Sequence, residues 1–259
     1  PKPGEAALKF RVAMVGPRGE RFEALFKPRQ RGYDDWATEV AVCRLALHLG
    51  VRVAPCHERW VPREVLQGAL ARLPKAHRRR LRWGRGGKAI FGFFRLWAPT
   101  FRQRLGRRVA TRRLLLQLAR GLRVRNRSAV LGSRLHRRFA DLLVLDFLVH
   151  NNDRRRNLGT LRDGKALLLY PIDFGDGLTA TPRRKVLCRE LLRASALFNR
   201  RLLTRIRALD DRLLERLFRV AELGALVPAV QRKLLLAQRR ALLAHVRWAQ
   251  KRFGAEVLF

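Results

Sequence analysis

Four side chains dominate a chemical reading of this sequence: Lys27, Glu39, Asp153 and Asp173. In that order they supply a cation, an acid able to orient it, and two carboxylates. Asn157 follows Asp153 by four residues and offers a further metal-ligating oxygen. Phosphoryl transfer from ATP asks for such a set: a cation on the phosphates, an acid that fixes the cation, a carboxylate for the acceptor's proton, and a second carboxylate for a metal ion. Lys27 and Glu39 are therefore expected at ATP, Asp153 as the catalytic carboxylate, and Asp173 with Asn157 at Mg or Mn. Each alone has a plainer structural role. Lys27 is then a solvated strand-end charge, Glu39 an exposed helix charge, Asp153 a turn or capping residue, and Asp173 part of a chance Asp-Phe-Gly. The ordered set carries the expectation.

The elements around these residues suit that placement. Leu8–Val15 and Glu20–Phe26 alternate apolar and polar residues about the turn Gly16-Pro17-Arg18-Gly19, predicting a β-hairpin that ends at Lys27. Asp34-Asp35 opens a helix running to about His48 and stopped by Gly50. Its apolar residues Trp36, Val40, Cys43 and Leu47 form one buried stripe, with Glu39 on its flank. Val51–Trp60 reads as extended, Pro74–Lys88 as a basic, glycine-containing loop, and Ala89–Trp97 as a central strand. Leu105–Arg125 reads as a basic amphipathic helix and His136–His150 as a far more apolar one, able to anchor the loop that carries Asp153. Two short strands about Asp163-Gly164 then lead to Asp173, and amphipathic Leu/Arg helices fill the chain from about Arg184.

A β-rich portion with one main helix, followed by a helical portion, predicts an α+β, bilobal, protein-kinase-like fold. The N-lobe is expected over 1–99, with its basic loop near 74–88, and the helical C-lobe over 100–259. The remaining carboxylates, Asp146, Asp163, Asp176, Asp210 and Asp211, read as turn, cap or ion-pair residues. Asp176 is close enough to Asp173 in sequence to reach the same metal. His150, at a helix end, reads as a structural hydrogen-bonding residue. The sequence contains no HExxH pattern and no GxxxxGK[ST] loop.

The chain has 58 Lys and Arg against 20 Asp and Glu, a formal net charge of +38, so polyanions are expected to adhere at low salt. The cations are mostly Arg, as GC-rich coding produces, and are spread along the chain. The stretch Val65–Ala140 is acid-free. Cys43, Cys56 and Cys188 are too few for a disulfide framework or a zinc site, and Cys43 reads as core packing. Their expected compartment is reducing. Pro1–Phe10 carries no signal-peptide pattern, no apolar run reaches membrane-spanning length, and the expected location is the cytoplasm.

At the same residues the sequence resembles the secretory-pathway kinases that include Golgi casein kinase, glycosaminoglycan xylosylkinase and four-jointed. Leu25-Phe26-Lys27-Pro28-Arg29-Gln30 is similar to their phosphate-Lys strand, and Thr38-Glu39-Val40-Ala41 to their regulatory helix. Val53-Ala54-Pro55 resembles the stretch after it, and Phe94–Pro99 the lobe-connecting strand. Leu145–Arg154 resembles the Asp-Phe-Leu-x-x-Asn-x-Asp-Arg catalytic loop, Ile172-Asp173 the metal-binding strand, and Arg239–Arg252 the closing helix. Related enzymes have Asn five residues after the catalytic Asp; here position 158 is Leu and the nearest Asn is Asn157. The chain resembles a compact bacterial-type relative. The resemblance implies an ATP-dependent kinase acting on a protein Ser/Thr or sugar hydroxyl. A HipA-like toxin-type kinase or a lipid-kinase-like enzyme is the near alternative. A basic nucleic-acid-binding protein or a pseudokinase is the alternative of another class.

Overall fold

The structure, a computed structural model, describes residues 8–31, 35–54, 56–97, 108–151, 154, 158–163, 166–171, 174–175, 177–178, 187–221 and 223–259. Five antiparallel strands form the first part: β1 Phe10–Val15, β2 Arg21–Pro28, β3 Cys56–Pro62, β4 Trp83–Gly84 and β5 Ala89–Trp97. Their order is β1-β2-β5-β3, with β4 also on β5. The expected hairpin and central strand are both present. β2 continues past Phe26, however, so Lys27 lies within the ladder opposite Phe93 and not at a strand end. Pro28, opposite Gly92, has no N–H to extend that edge, and β4 takes over opposite Ile90 and Ala89. The side chain of Gln30 ties down the backbone just ahead of β1, bonding both the N–H and the C=O of Leu8.

Period-two alternation gives the sheet two apolar faces. On one, Phe26 stacks against Phe10 and Phe94, beside Ile90 and Leu81. On the other, Phe91 and Phe93 pack with Trp36 and Val40 of helix α1, Asp35–Leu49. Gly92 is needed between these faces, since a Cβ there would come within 2.5 Å of both the Lys27 carbonyl and the Phe26 ring.

Helix α1 is more deeply buried than a one-sided stripe predicts. Its residues Ala41, Val42, Leu45, Ala46 and Leu49 belong to the core of the helical part. Leu47, expected in the stripe, is 62 % exposed instead. With the sheet on one side and later helices on the other, its position falls on the side left open. The helix ends as the sequence predicts. Gly50 has φ +74°, and Gly50 and Val51 donate to Leu47 and Ala46 in a Schellman motif. Cys43 is buried as expected, but its sulfur is bonded to that of Cys56 on β3. The expectation of a reducing compartment rested on unpaired cysteines, and this disulfide removes that basis.

The segment expected as a basic loop contains structure of its own. After α2, Gln67–Ala71, it forms α3, Lys75–Arg78, and then β4. Helices α4 Arg108–Gly121, α5 Arg127–Gly132 and α6 Arg134–Leu148 follow, then the hairpin β6 Leu158–Asp163 with β7 Ala166–Pro171. Next come α7 Leu187–Ala194, α8 Arg200–Arg207 and α9 Asp211–Leu217. A minimal hairpin, β8 Arg219–Val220 with β9 Gly224–Ala225, precedes the long α10, Ala229–Phe253. Helix α6 is central: every residue from Leu142 to Leu148 is buried, against α4, α5, α7, α10 and β7. No helix among the described residues is long and apolar enough to cross a membrane.

Candidate active site

Strand β2, helix α1 and strand β5 each deliver one charged side chain to a common point beneath the sheet. Lys27 Nζ donates to Glu39 Oε1, and Arg95 Nη2 donates to Glu39 Oε2 at 2.6 Å. All three residues are buried, Glu39 completely. Register explains the meeting. Lys27 faces Phe93 and Leu25 faces Arg95, so Lys27 and Arg95 emerge on the face that carries α1. Phe93 lies between the cations, with Lys27 Nζ 5.5 Å and Arg95 Cζ 5.8 Å from its ring centroid. The buried carboxylate thus has a cation on each oxygen, the pairing that offsets desolvation. The sequence expectation omitted Arg95. Its signal was a single charge inside the aromatic strand Phe91–Trp97.

A second cluster closes α6. Asp146, buried on this helix, accepts from Arg154 through Nε at 2.8 Å and Nη2 at 2.6 Å, and from Asn151 Nδ2 at 3.0 Å. The carboxylate is the ion-pair residue expected of it. The helix terminates in the same Schellman pattern as α1: His150 and Asn151 donate to the carbonyls of Phe147 and Asp146. Here the left-handed residue is His150, φ +57°, where glycine would be unstrained. Burial and the nearby Arg189 lower the His150 pKa from its usual value. The Arg154 guanidinium stacks on Phe174, 4.6 Å from its centroid. Val149 accepts from Leu178 N–H at 2.6 Å, and Phe174 from Gly177 N–H at 2.8 Å. The residue after Asp153 therefore touches the residue after Asp173.

Asp153, Asn157, Asp173 and Asp176 themselves lie outside the described residues. Among the described residues, no group of three or more His, Cys, Asp or Glu side chains sits together as a metal site.

No family profile and no curated protein matches this chain by sequence. Solved structures do match. Hydra Fam20, determined with sugar, superimposes with a TM-score of 0.62 at 13 % identity, over 98 % of this chain and 86 % of its own. Golgi casein kinase gives 0.61 at 13 %, over 99 % of this chain and 74 % of its own. A structure of the Golgi casein kinase with Mn/ADP bound gives 0.58 at 12 %, over 97 % and 73 %. The fold is that of the Fam20-type kinases. The α+β, kinase-like architecture expected from the sequence is the observed one, and the sequence resemblance to Golgi casein kinase holds at the level of fold. Within a Fam20-type fold, the Lys27–Glu39 pair joins a sheet strand to the main helix of the sheet-bearing half.

Proposed function

We propose that the chain is an ATP-dependent phosphotransferase that phosphorylates a hydroxyl of a protein Ser/Thr or of a sugar. The observation that carries this is the buried Lys27–Glu39 pair between β2 and α1 in a Fam20-type kinase fold. The contact of Arg154 with Phe174 supports it, because each of these residues directly follows a proposed catalytic or metal-binding aspartate. In this mechanism Lys27, held by Glu39, neutralises charge on the ATP phosphates. Asp153 orients the acceptor hydroxyl and takes its proton. The acceptor oxygen bonds to the γ-phosphorus while the bond from that phosphorus to the β,γ-bridging oxygen breaks, and ADP leaves. Asp173, with Asn157, would hold Mg or Mn, which supplies further positive charge to the phosphates. Sugar is present in one structure of the fold neighbours and Mn/ADP in another, which supports a sugar hydroxyl as one acceptor and this cofactor pair.

The test is metal-dependent release of ADP from ATP, together with autophosphorylation. Wild type is expected to turn over, Lys27→Met to lose at least about a hundredfold together with some stability, because Glu39 is buried against it, and Asp153→Ala and Asp173→Ala to be inactive with wild-type melting behaviour. Two aspartate variants as active as wild type would sink the proposal. So would a wild-type protein that binds ATP without turning it over.

A further inference from the structure

The basic segment ahead of β5 lines a cavity of about 1410 Å³. The cavity sits where β3 ends and β5 begins, bounded by Pro62 and Ala89, which face each other in the ladder. Lys27, Glu39 and Arg95 do not line it. Ala89 is four residues from Phe93, the partner of Lys27, a displacement of about 13 Å along a strand.

Six cations line this cavity, Arg63, Lys75, Arg78, Arg79, Arg85 and Lys88, against one carboxylate, Glu64. The whole chain has 58 cations to 20 acids, so the cavity is about twice as cation-rich as the protein around it. All six are exposed to solvent. Two of the guanidiniums are held in place by indoles: Arg63 lies 5.1 Å from the Trp83 centroid and Arg85 5.1 Å from that of Trp60. The turn carrying Arg85 and Lys88 is fixed by Gly87 N–H to Gly84 and Lys88 N–H to Arg85, with Gly86 and Gly87 both at positive φ. Arg63 N–H, in turn, bonds the Lys88 carbonyl at 2.9 Å. The cations are therefore gathered by tertiary structure, although like charges within a Debye length of about 8 Å repel. A polyvalent anion relieves that repulsion, and positioned guanidiniums lose little entropy in binding it.

Guanidinium forks match phosphate oxygens, and the cavity is far larger than one phosphate group. We infer that it binds a ligand bearing several phosphates along a short chain, either a single-stranded phosphodiester or a phosphoanhydride chain. The probes are a labelled oligothymidylate and inorganic polyphosphate of matched charge, titrated against the intact protein at about 0.15 M salt. Arg78→Ala/Arg79→Ala/Lys88→Ala is expected to weaken binding of at least one probe about tenfold or more. For the oligonucleotide it should also flatten the log–log salt dependence by about 2, for three lost phosphate contacts. A matched triple on exposed α10 positions, Arg240→Ala/Arg247→Ala/Lys251→Ala, is expected to change affinity less than about threefold. The probe that depends more on the cavity triple identifies the chain chemistry. Equal loss in the two triples overturns the inference, as does equally tight binding of polyglutamate, which would mark general attraction to acidic chains. ATP turnover is expected to be unchanged in the cavity triple, keeping this result separate from the phosphotransfer test.

Discussion

The two buried ionic clusters are built on different plans. Lys27, Glu39 and Arg95 come from three elements, the bonded partners lying 12 and 56 positions apart. Asp146, Asn151 and Arg154 come from one helix and the chain just after it, 5 and 8 residues apart. The first cluster joins the sheet to α1, and α1 is itself embedded in the helical core, so it fixes how large parts of the molecule sit together. The second fixes one reversal of the chain and then reaches outward through the stack of Arg154 on Phe174. In the first, two cations bond one carboxylate. In the second, one cation and one amide do. Long-range clusters of this kind set the register between bodies, whereas local ones set the position of a loop.

That difference predicts unequal costs. Glu39→Gln keeps the shape but removes the negative charge between two buried cations, and a buried charge that loses its partner costs about 3–5 kcal/mol. Urea unfolding is expected to show a loss in that range, the largest of the set. A loss below about 1 kcal/mol would break the comparison, because the cations would then not depend on Glu39. Asp146→Asn weakens the hold on a single guanidinium and should cost less, about 2–3 kcal/mol.

The local cluster can also be separated from stability. Replacing both partners, Asp146→Leu with Arg154→Met, removes the two charges together, so the loss of stability should be no more than about 1–3 kcal/mol, for the bond from Asn151 to Asp146 that goes with them. ATP turnover should nevertheless fall about a hundredfold, the penalty for misplacing the segment after Asp153. Turnover that survives in this double variant would reduce the clamp to a purely structural feature.

Sequence distance also decided what could be foreseen. The α6 helix, its buried carboxylate and the Asn-Asn-Asp-Arg run after it lie within a few turns of one another, and their pattern was visible without any fold. Lys27 and Glu39 were suggested by chemical type and order. Arg95 was missed because its role depends on strand register, which places it opposite Leu25 on the face that meets α1. The same limit explains Leu47, whose exposure follows from α1 being wedged between two bodies, and Cys56, which the fold brings to Cys43. Basic composition concealed the structure within 74–88, since Arg-rich helices and strands carry little apolar periodicity.

Helix α6 offers a finer version of the comparison, because it carries a second sheltered carboxylate with a different kind of partner. Asp141 accepts from Asn199 Nδ2 at 3.0 Å, an amide in place of the guanidinium that serves Asp146. Burial pushes its pKa up to about 6, and the Asn199 bond offsets this in part. The folded state therefore keeps a proton that the unfolded chain releases near the ordinary carboxylate value of 3.8. Stability from this group is full below that value, falls as pH rises toward about 6, and is constant above it. Asp141→Asn keeps an acceptor for Asn199 but cannot ionise, so it should abolish this slope and stabilise the protein at pH 7 by about 1–3 kcal/mol. Thermal melts of both proteins from pH 4 to 8 provide the check. Curves that converge near pH 4 and separate by pH 7, with the variant more stable, are expected. A variant less stable at pH 7 would mean that the Asp141 carboxylate is held by its surroundings as firmly as Asp146 is by Arg154.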